Sequence, residues 1–281
     1  MASKQKWTEA KIRKMVAEGY GEGFLDQYKP WIEVADVSSL GNSRRVWSAK
    51  TMRTHHLLSN VEFDLFRALE WQRNIIDIRE QFPLERTLTQ DIARSLGIRH
   101  PHYPGTRVPT VMTVDFMVTI RIDGENHLAA YNAKRDEEAE DESSVLKLEI
   151  QRTYFEQLGF PHHAVYHSQI PANNVANIGD IREAPLKPGE LEPRPGFFAG
   201  LMSRMVHHMP NADSKISLVA YCQDFDGSFG VASGTGIRVA RMLMNERVLV
   251  PDLSAPDLGA LPLSAFLMTA QLRQLRSAGG M

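Results

Sequence analysis

The stretch Val114-Asp115-Phe116-Met117-Val118, followed about a hairpin's length later by Tyr131-Asn132-Ala133-Lys134, decides how this chain is read. Asp115 lies in a β-branched, period-two segment, so its side chain can leave the apolar layer and point into a cleft. Asn132 and Lys134 are two residues apart on the next strand and project from the same face. Gly124, within Asp123-Gly124-Glu125-Asn126, supplies the turn, and a hairpin is the simplest connection. A carboxylate, an amide oxygen and an ammonium are thereby gathered in one place. Hydrolysis of a phosphodiester calls for that combination: hard oxygen ligands for Mg²⁺ and a positive charge beside the attacking water or the developing phosphorane. These residues alone leave a plain surface hairpin open, because an Asp followed at a distance by Asn-x-Lys recurs by chance in many chains.

A third element lies upstream. From His55 to Trp71 the apolar positions 57, 58, 61, 65, 66 and 69 read as an amphipathic helix with Glu62 in its first turn. Ser59-x-x-Glu62 is also a capping box, in which the glutamate reaches back to the serine amide and needs no metal. The alternative is that Glu62 turns toward Asp115 and completes a two-carboxylate cation site. Composition does not choose between them. His55 and His56 point apart, and with no third His or Cys at suitable spacing they do not suggest zinc.

At 281 residues, with 43% hydrophobic residues, the chain is long enough for one large domain or two ordinary ones. Its single cysteine, Cys222, excludes an intrachain disulfide and fits a reducing cytoplasm. No apolar run approaches a membrane span and the N-terminus lacks a signal peptide's apolar stretch, so a cytoplasmic, nucleoid-associated protein without membrane contact is expected. A net charge of −2 argues against tight autonomous DNA binding. Arg44, Arg45, Arg53, Arg86, Arg94, Arg99, His100 and Arg107 are candidate local phosphate contacts, each with a solvated loop position as the alternative.

From residue 7 to about 160 the chain resembles the TnsA family, the endonuclease subunits of multi-protein cut-and-paste transposases. The resemblance is carried, in order, by Tyr28-Lys29-Pro30-Trp31, His55-His56-Leu57-Leu58-Ser59-x-x-Glu62, Trp71, Asp77-Ile78-Arg79-Glu80-Gln81-Phe82-Pro83-Leu84, His100-Pro101, Met112-Thr113-Val114-Asp115-Phe116 and Asn132-Ala133-Lys134. It implies an α/β fold of the restriction-endonuclease-like PD-(D/E)xK type: a mixed sheet flanked by helices, with a site built from one helix and two strands. It places the catalytic roles on Glu62, Asp115, Asn132 and Lys134, with Glu62, Asp115 and Asn132 as Mg²⁺ ligands (Mn²⁺ as a possible substitute) and Glu149 as a further acidic position. Glu149 reads equally as a solvated helix residue beside Lys147 and Arg152. The implied activity is Mg²⁺-dependent cleavage of one strand, at the 5′ ends of the transposon. The implied partners are transposon-end DNA, a DDE-type transposase and an AAA+ regulator.

Two features depart from the family pattern. Asn132 stands where Gln or an acid is usual, one carbon shorter than Gln and uncharged. Arg135 replaces a usual Pro and leads into the acidic run 136–142, which reads as a solvated mobile loop. Asn132 also supports a rival function, a catalytically degraded scaffold that bridges transposase, AAA+ regulator and DNA. A free-standing restriction-type nuclease is a third.

The remaining elements follow from local signals. Thr8 caps a short helix over 9–18; residues 75–84 and 111–122 read as strands, 88–98 as a helix, and 164–167 as a strand, with His162 and His163 as packing or surface residues. Prolines from 171 to 195 mark a connector. The expected division is a catalytic domain over 1–169, a Pro-rich linker over 170–196, and a C-terminal winged-helix-like partner- and DNA-binding domain over 197–281. In that last part, helices are expected over 197–208 and 236–246, and strands over 217–224 and 247–252. Arg238 and Arg241 share a helical face that suits either phosphate or solvent.

Overall fold

A computed structural model describes residues 7–36, 42–187 and 189–269. It separates into two units between Ile170 and Pro171.

The first unit opens on α1 (Glu9–Ala17), whose Thr8 cap accepts from the Lys11 amide at 3.1 Å. Ile12 and Met15 bury their side chains with Trp31, Tyr103 and Val111, and Trp7 stacks on Tyr103 with ring centroids 4.1 Å apart. An irregular arm then passes the end of the third strand. A Cβ at Gly21 would lie 2.2 Å from Pro83 Cγ, so this approach requires glycine.

A hairpin of β1 (Arg44–Ser48) and β2 (Arg53–Leu57) precedes α2 (Asn60–Trp71). His55, His56 and Leu57 therefore lie in a strand rather than at the start of a helix: the Ser59 cap, whose Oγ accepts from the Glu62 amide at 3.1 Å, fixes the helix start. The central sheet is formed by β3 (Ile75–Pro83), β4 (Thr113–Ile122), β5 (Glu125–Lys134) and β6 (His162–Tyr166), in that order; α3 (Arg86–Ser95) follows β3 and α4 (Glu142–Leu158) joins β5 to β6. The first three strands are antiparallel, and β6 runs parallel to β5, which needs the α4 crossover. Helices cover the sheet: α2 sets Phe66 against Phe116 of β4, while α3 and α4 share a buried cluster with Met117 and Ala130. A mixed sheet with flanking helices is thus what the sequence led us to expect. The β4–β5 turn is the two-residue Asp123-Gly124, both with positive φ (50° and 86°), which matches the twist of the strands it joins.

Residues 136–142 are not a free loop. Asp136–Ala139 form a single 3₁₀ turn, and Asp141 caps α4 by accepting from the Ser144 amide at 2.8 Å. The acids that suggested a solvated loop act instead as helix-start residues.

In the second unit α5 (Ala172–Arg182), α6 (Phe197–His208), α7 (Leu218–Phe229) and α8 (Thr235–Asn245) precede a ladder of β7 (Leu249–Val250) and β8 (Leu267–Met268). Two expectations need correction here. The segment 170–196 contains α5, tied to the unit by Asn177 Nδ2, which donates to the carbonyls of Leu253 and Ala255. Residues 218–229 form a helix, not a strand: Ser217 caps it, Gly230 ends it, and Leu218, Tyr221, Cys222 and Phe225 are buried at helical spacing. Met205, Met242, Met244 and Met268 are buried in this unit and Met202 is half-buried. Arg238 and Arg241 are held in ion pairs with Glu190 and Asp180 (2.6 Å each), so contact with phosphate would require breaking them.

The start of α8 rests on Asp226 of α7, whose carboxylate accepts from the amides of Gly234 (2.8 Å) and Gly236 (2.6 Å). Asp226 is 6% exposed and Gly236 is buried, so an Asp226→Ala substitution leaves the Gly236 N–H with little access to water. We expect it to destabilise the second unit by about 1–3 kcal/mol. Urea unfolding checks this, and an unshifted midpoint would show that the cap contributes nothing.

Candidate active site

Asp115 enters the site from the start of β4, and Asn132 and Lys134 from the end of β5. Phe116 pairs with Tyr131, so the next pair toward that end of the hairpin is Asp115 and Asn132. Asp115 Oδ2 accepts from the Ala133 amide at 2.8 Å and from Asn132 Nδ2 at 3.4 Å. On the other side Glu80 pairs with Phe116 and Phe82 with Val114, which puts Gln81 opposite Asp115. Gln81 is a non-glycine residue at φ 47°, a strained left-handed conformation, and it is 3% exposed. Its Nε2 faces Asp115 Oδ1 (3.5 Å) and Glu62 Oε2 (3.3 Å), while its Oε1 accepts from Thr113 Oγ1 (3.1 Å). Glu62 Oε2 also accepts from the Leu58 amide at 2.9 Å. Glu62 thus reaches back not to the Ser59 amide of a capping box but to that of Leu58, one residue earlier, and through the same oxygen it faces Gln81 and the site. A cleft beside these groups is lined by Asp115, Asn132 and Lys134 together with His102, Lys147 and Gln151.

The electrostatics follow from burial. Loss of water around Glu62 raises its pKa well above the ordinary carboxylate range, and the nearby Asp115 charge raises it further, against the bonds from Leu58, Ser59 and Gln81. Burial also raises Asp115, although Lys134, the Ala133 amide, Asn132 and Gln81 all favour its charged form. For Lys134 burial alone would lower the pKa, but Asp115, Glu138 and Glu62 outweigh it and hold the ammonium above its ordinary value. Lys134 also pairs with Glu138 at 3.3 Å.

This donor set fits a hard divalent cation. Two buried carboxylates disfavour their own ionised forms, and Mg²⁺ is commonly held by one or two carboxylates with water and substrate phosphate completing the shell. Among the described residues no group of three or more His, Cys, Asp and Glu side chains converges, so the protein offers a partial shell rather than a cage. A pH dependence follows. Both carboxyl pKa values are raised, so their contribution to stability is present below the ordinary carboxylate pKa and is lost as pH rises through the folded values. In EDTA this pair should lower the melting temperature as pH rises toward and past neutrality, and Mg²⁺ should restore more of it at high pH than at low pH. Thermal melts at several pH values check this, and a Mg²⁺ effect independent of pH would contradict it.

Residues 72–167 match the family described as TnsA-like endonuclease N terminal. The transposition protein TnsA of transposon Tn7, from Escherichia coli, is 41% identical over 155 residues, covering 55% of this chain and 56% of that protein. Residues 72–167 of the first unit are thus TnsA-like in sequence. The chain spans little more than half the length of that relative. Gln81, Asp115, Asn132, Lys134 and His162 lie inside the matched 72–167 segment; Glu62 lies outside it.

Within the TnsA-like unit, two expectations about site residues change. Asn132 turns its nitrogen toward Asp115, while its Oδ1 accepts from His162 Nε2 at 2.7 Å. Asn132 is 2% exposed, and its short side chain brings the oxygen to the β6 histidine rather than into the cleft. His162 stacks on Phe155, and burial lowers its pKa to about 4, so at neutral pH it is an uncharged donor. For the Asn132 oxygen to face a cation, its amide must rotate and the imidazole must take the other tautomer. Glu149 is not brought to the site: it pairs with Arg152 at 2.7 Å on the outer side of α4, while Gln151 lines the cleft and donates to the Thr113 carbonyl at 2.8 Å. Gln81 and His162 are the contacts that sequence reading missed. Gln81 lies among Asp77, Arg79 and Glu80 in β3, so nothing local singles it out, and the signal for His162 was its position beside the expected strand.

The arginines noted upstream have varied fates. Arg53 is buried against Glu80, Arg86 pairs with Glu9 at 2.8 Å and Arg94 with Asp91 at 2.7 Å, whereas Arg99 and Arg107 are exposed. His55 is fully buried between Thr51 and Glu80, and His56 Nδ1 accepts from the Val34 amide at 3.2 Å.

Proposed function

We propose that this chain is the endonuclease subunit of a heteromeric transposase, a Mg²⁺-dependent nuclease that cuts one strand, at the 5′ ends, of transposon-end DNA. The observation that carries the reading is the convergence of Glu62, Asp115 and protonated Lys134 from one helix and two strands within a TnsA-like unit. Glu62 and Asp115 would hold the cation, joined by the Asn132 oxygen once its amide has rotated. When bound, that cation supplies activation of water and stabilisation of the leaving 3′ oxygen. Lys134 keeps its proton, which suits it to balance charge on the phosphorane and orient the attacking water rather than to act as a base. Hydrolysis of one phosphodiester leaves a 5′ phosphate and a 3′ hydroxyl. The proposed partners are a DDE-type transposase that cuts the other strand and an AAA+ regulator. The last three of the four helices in the second unit, α6 to α8, with the two-stranded ladder that follows them, suit a winged-helix-like module for docking on partner or DNA. Among the described residues no helix is long and apolar enough to cross a membrane.

The test is strand-specific mapping of nicks in transposon-end DNA with the cognate transposase and Mg²⁺, for wild type and Lys134→Ala. We expect a 5′-end nick that requires Mg²⁺ and slows by roughly 100-fold or more in the variant. Equal nicking by both would assign the chemistry to the partner. One observation favours the rival scaffold reading, namely the Asn132 oxygen held by His162. The scaffold predicts normal transposase assembly with no nick from this subunit even in wild type.

A further inference from the structure

We propose that Gln81 is a positioning residue that stands in for the cation: its amide N–H groups occupy the space between Glu62 and Asp115 in the metal-free protein and give way when a divalent ion enters. The inference rests on the metal-site reading above and goes beyond it, because that reading assigns Gln81 no part.

Three observations converge on the residue. Its Nε2 is shared between one oxygen of each carboxylate, at 3.3 Å from Glu62 and 3.5 Å from Asp115. Its orientation is fixed, since Thr113 Oγ1 donates to Oε1 at 3.1 Å and leaves the NH₂ end facing the acids. Its backbone adopts φ 47°, costly for a side chain with a Cβ, and is clamped there by the Trp31 amide, which donates to the Gln81 carbonyl at 3.2 Å. Tyr28 OH anchors the preceding residue by donating to the Glu80 carbonyl at 3.0 Å. A strained residue held by the N-terminal arm, with a neutral donor between two like charges, lowers the repulsion that would otherwise spread the carboxylates before metal arrives. Its bonds are long for charge-assisted ones, so a divalent ion can replace them.

Two substitutions with unbranched stems share the backbone strain and differ only in what they place between the acids. Gln81→Met removes the donors; Gln81→Lys supplies a permanent cation. Mn²⁺ is titrated into the full chain by calorimetry, and melting temperatures are measured in EDTA. We expect Gln81→Met to melt lower than wild type in EDTA yet bind Mn²⁺ about tenfold more tightly, because no amide competes for the site. Gln81→Lys should melt above Gln81→Met and lose Mn²⁺ binding. Unchanged or weakened binding in Gln81→Met, retained binding in Gln81→Lys, or no binding by any of the three proteins would overturn the proposal. The nuclease reading fails separately: wild type that binds Mn²⁺ but leaves transposon-end DNA uncut removes the enzyme and keeps the Gln81 role, and cutting with unaltered Mn²⁺ affinities does the reverse.

Discussion

Asp115→Asn is expected to abolish strand cleavage without lowering the stability of the metal-free protein. The substitution removes one of two carboxylates that would hold the cation and one of the charges that keep Lys134 protonated. A loss on the order of 1000-fold or more is expected, since about 4 kcal/mol of transition-state stabilisation corresponds to that factor. The contact to β5 is kept, while the long 3.5 Å contact from Gln81 Nε2 would meet an amide nitrogen and be lost. An asparagine oxygen can still accept from the Ala133 amide, and the charge that raises Glu62 disappears. The melting temperature in EDTA should therefore hold or rise. The pairing of lost nicking with retained stability is what separates a catalytic carboxylate from a structural one. A variant that melts well below wild type would mean that Asp115 supports the sheet, and a variant that still nicks would remove it from the mechanism.

Glu80→Ala should have the largest effect on folding. Glu80 is fully buried, and its carboxylate accepts from both Arg53 NH groups, from the His56 amide at 3.1 Å, and from His55 at 2.8 Å. Burial alone would raise its pKa, but the bonds and charges of His55 and Arg53 bring it down to about 2. Deleting the carboxylate strands a buried guanidinium and a buried imidazole. Breaking such a network by removing one partner costs about 3–5 kcal/mol. This is a large share of a domain's stability, so the variant should unfold at much lower urea and accumulate poorly. The sign of the pH effect is opposite to that of the site carboxylates. The Glu80 pKa is depressed, so its contribution is present above the ordinary value of 4.5 and is lost as pH falls through about 2. Wild type should therefore lose stability on acidification through a process that Glu80→Ala no longer shows. If both proteins acid-denature alike, Glu80 does not control it.

Arg53 and Glu80 also illustrate what the sequence could not reveal. Arg53 was grouped with possible phosphate contacts, with a solvated loop position as the alternative. It is 7% exposed because β1 and β2 fold over the end of β3 and bring a partner from 27 residues away. Arg238 and Arg241 miscarried for the same reason, their partners lying 48 and 61 residues distant. Residues 217–224 were read as a strand; Val219 and Tyr221 favour β structure, a weak signal that capping and burial at helical spacing override.

What the sequence determined by itself was the local part. The period-two run through Asp115, the Asp123-Gly124 turn, and the two-residue spacing of Asn132 and Lys134 specified the hairpin, because strand alternation and turn geometry are set by neighbouring residues. Ser59 fixed where α2 begins and so put Glu62 in its first turn. Only the tertiary structure decided what those side chains face. Gln81 meets Glu62 across 19 residues and Asp115 across 34, and His162 meets Asn132 across 30. These contacts depend on strand order and on a strained backbone at Gln81, and neither is encoded in a local window. The atom that Asn132 turns toward Asp115 is settled by a histidine on the neighbouring parallel strand, since a buried amide points its oxygen wherever a donor is available.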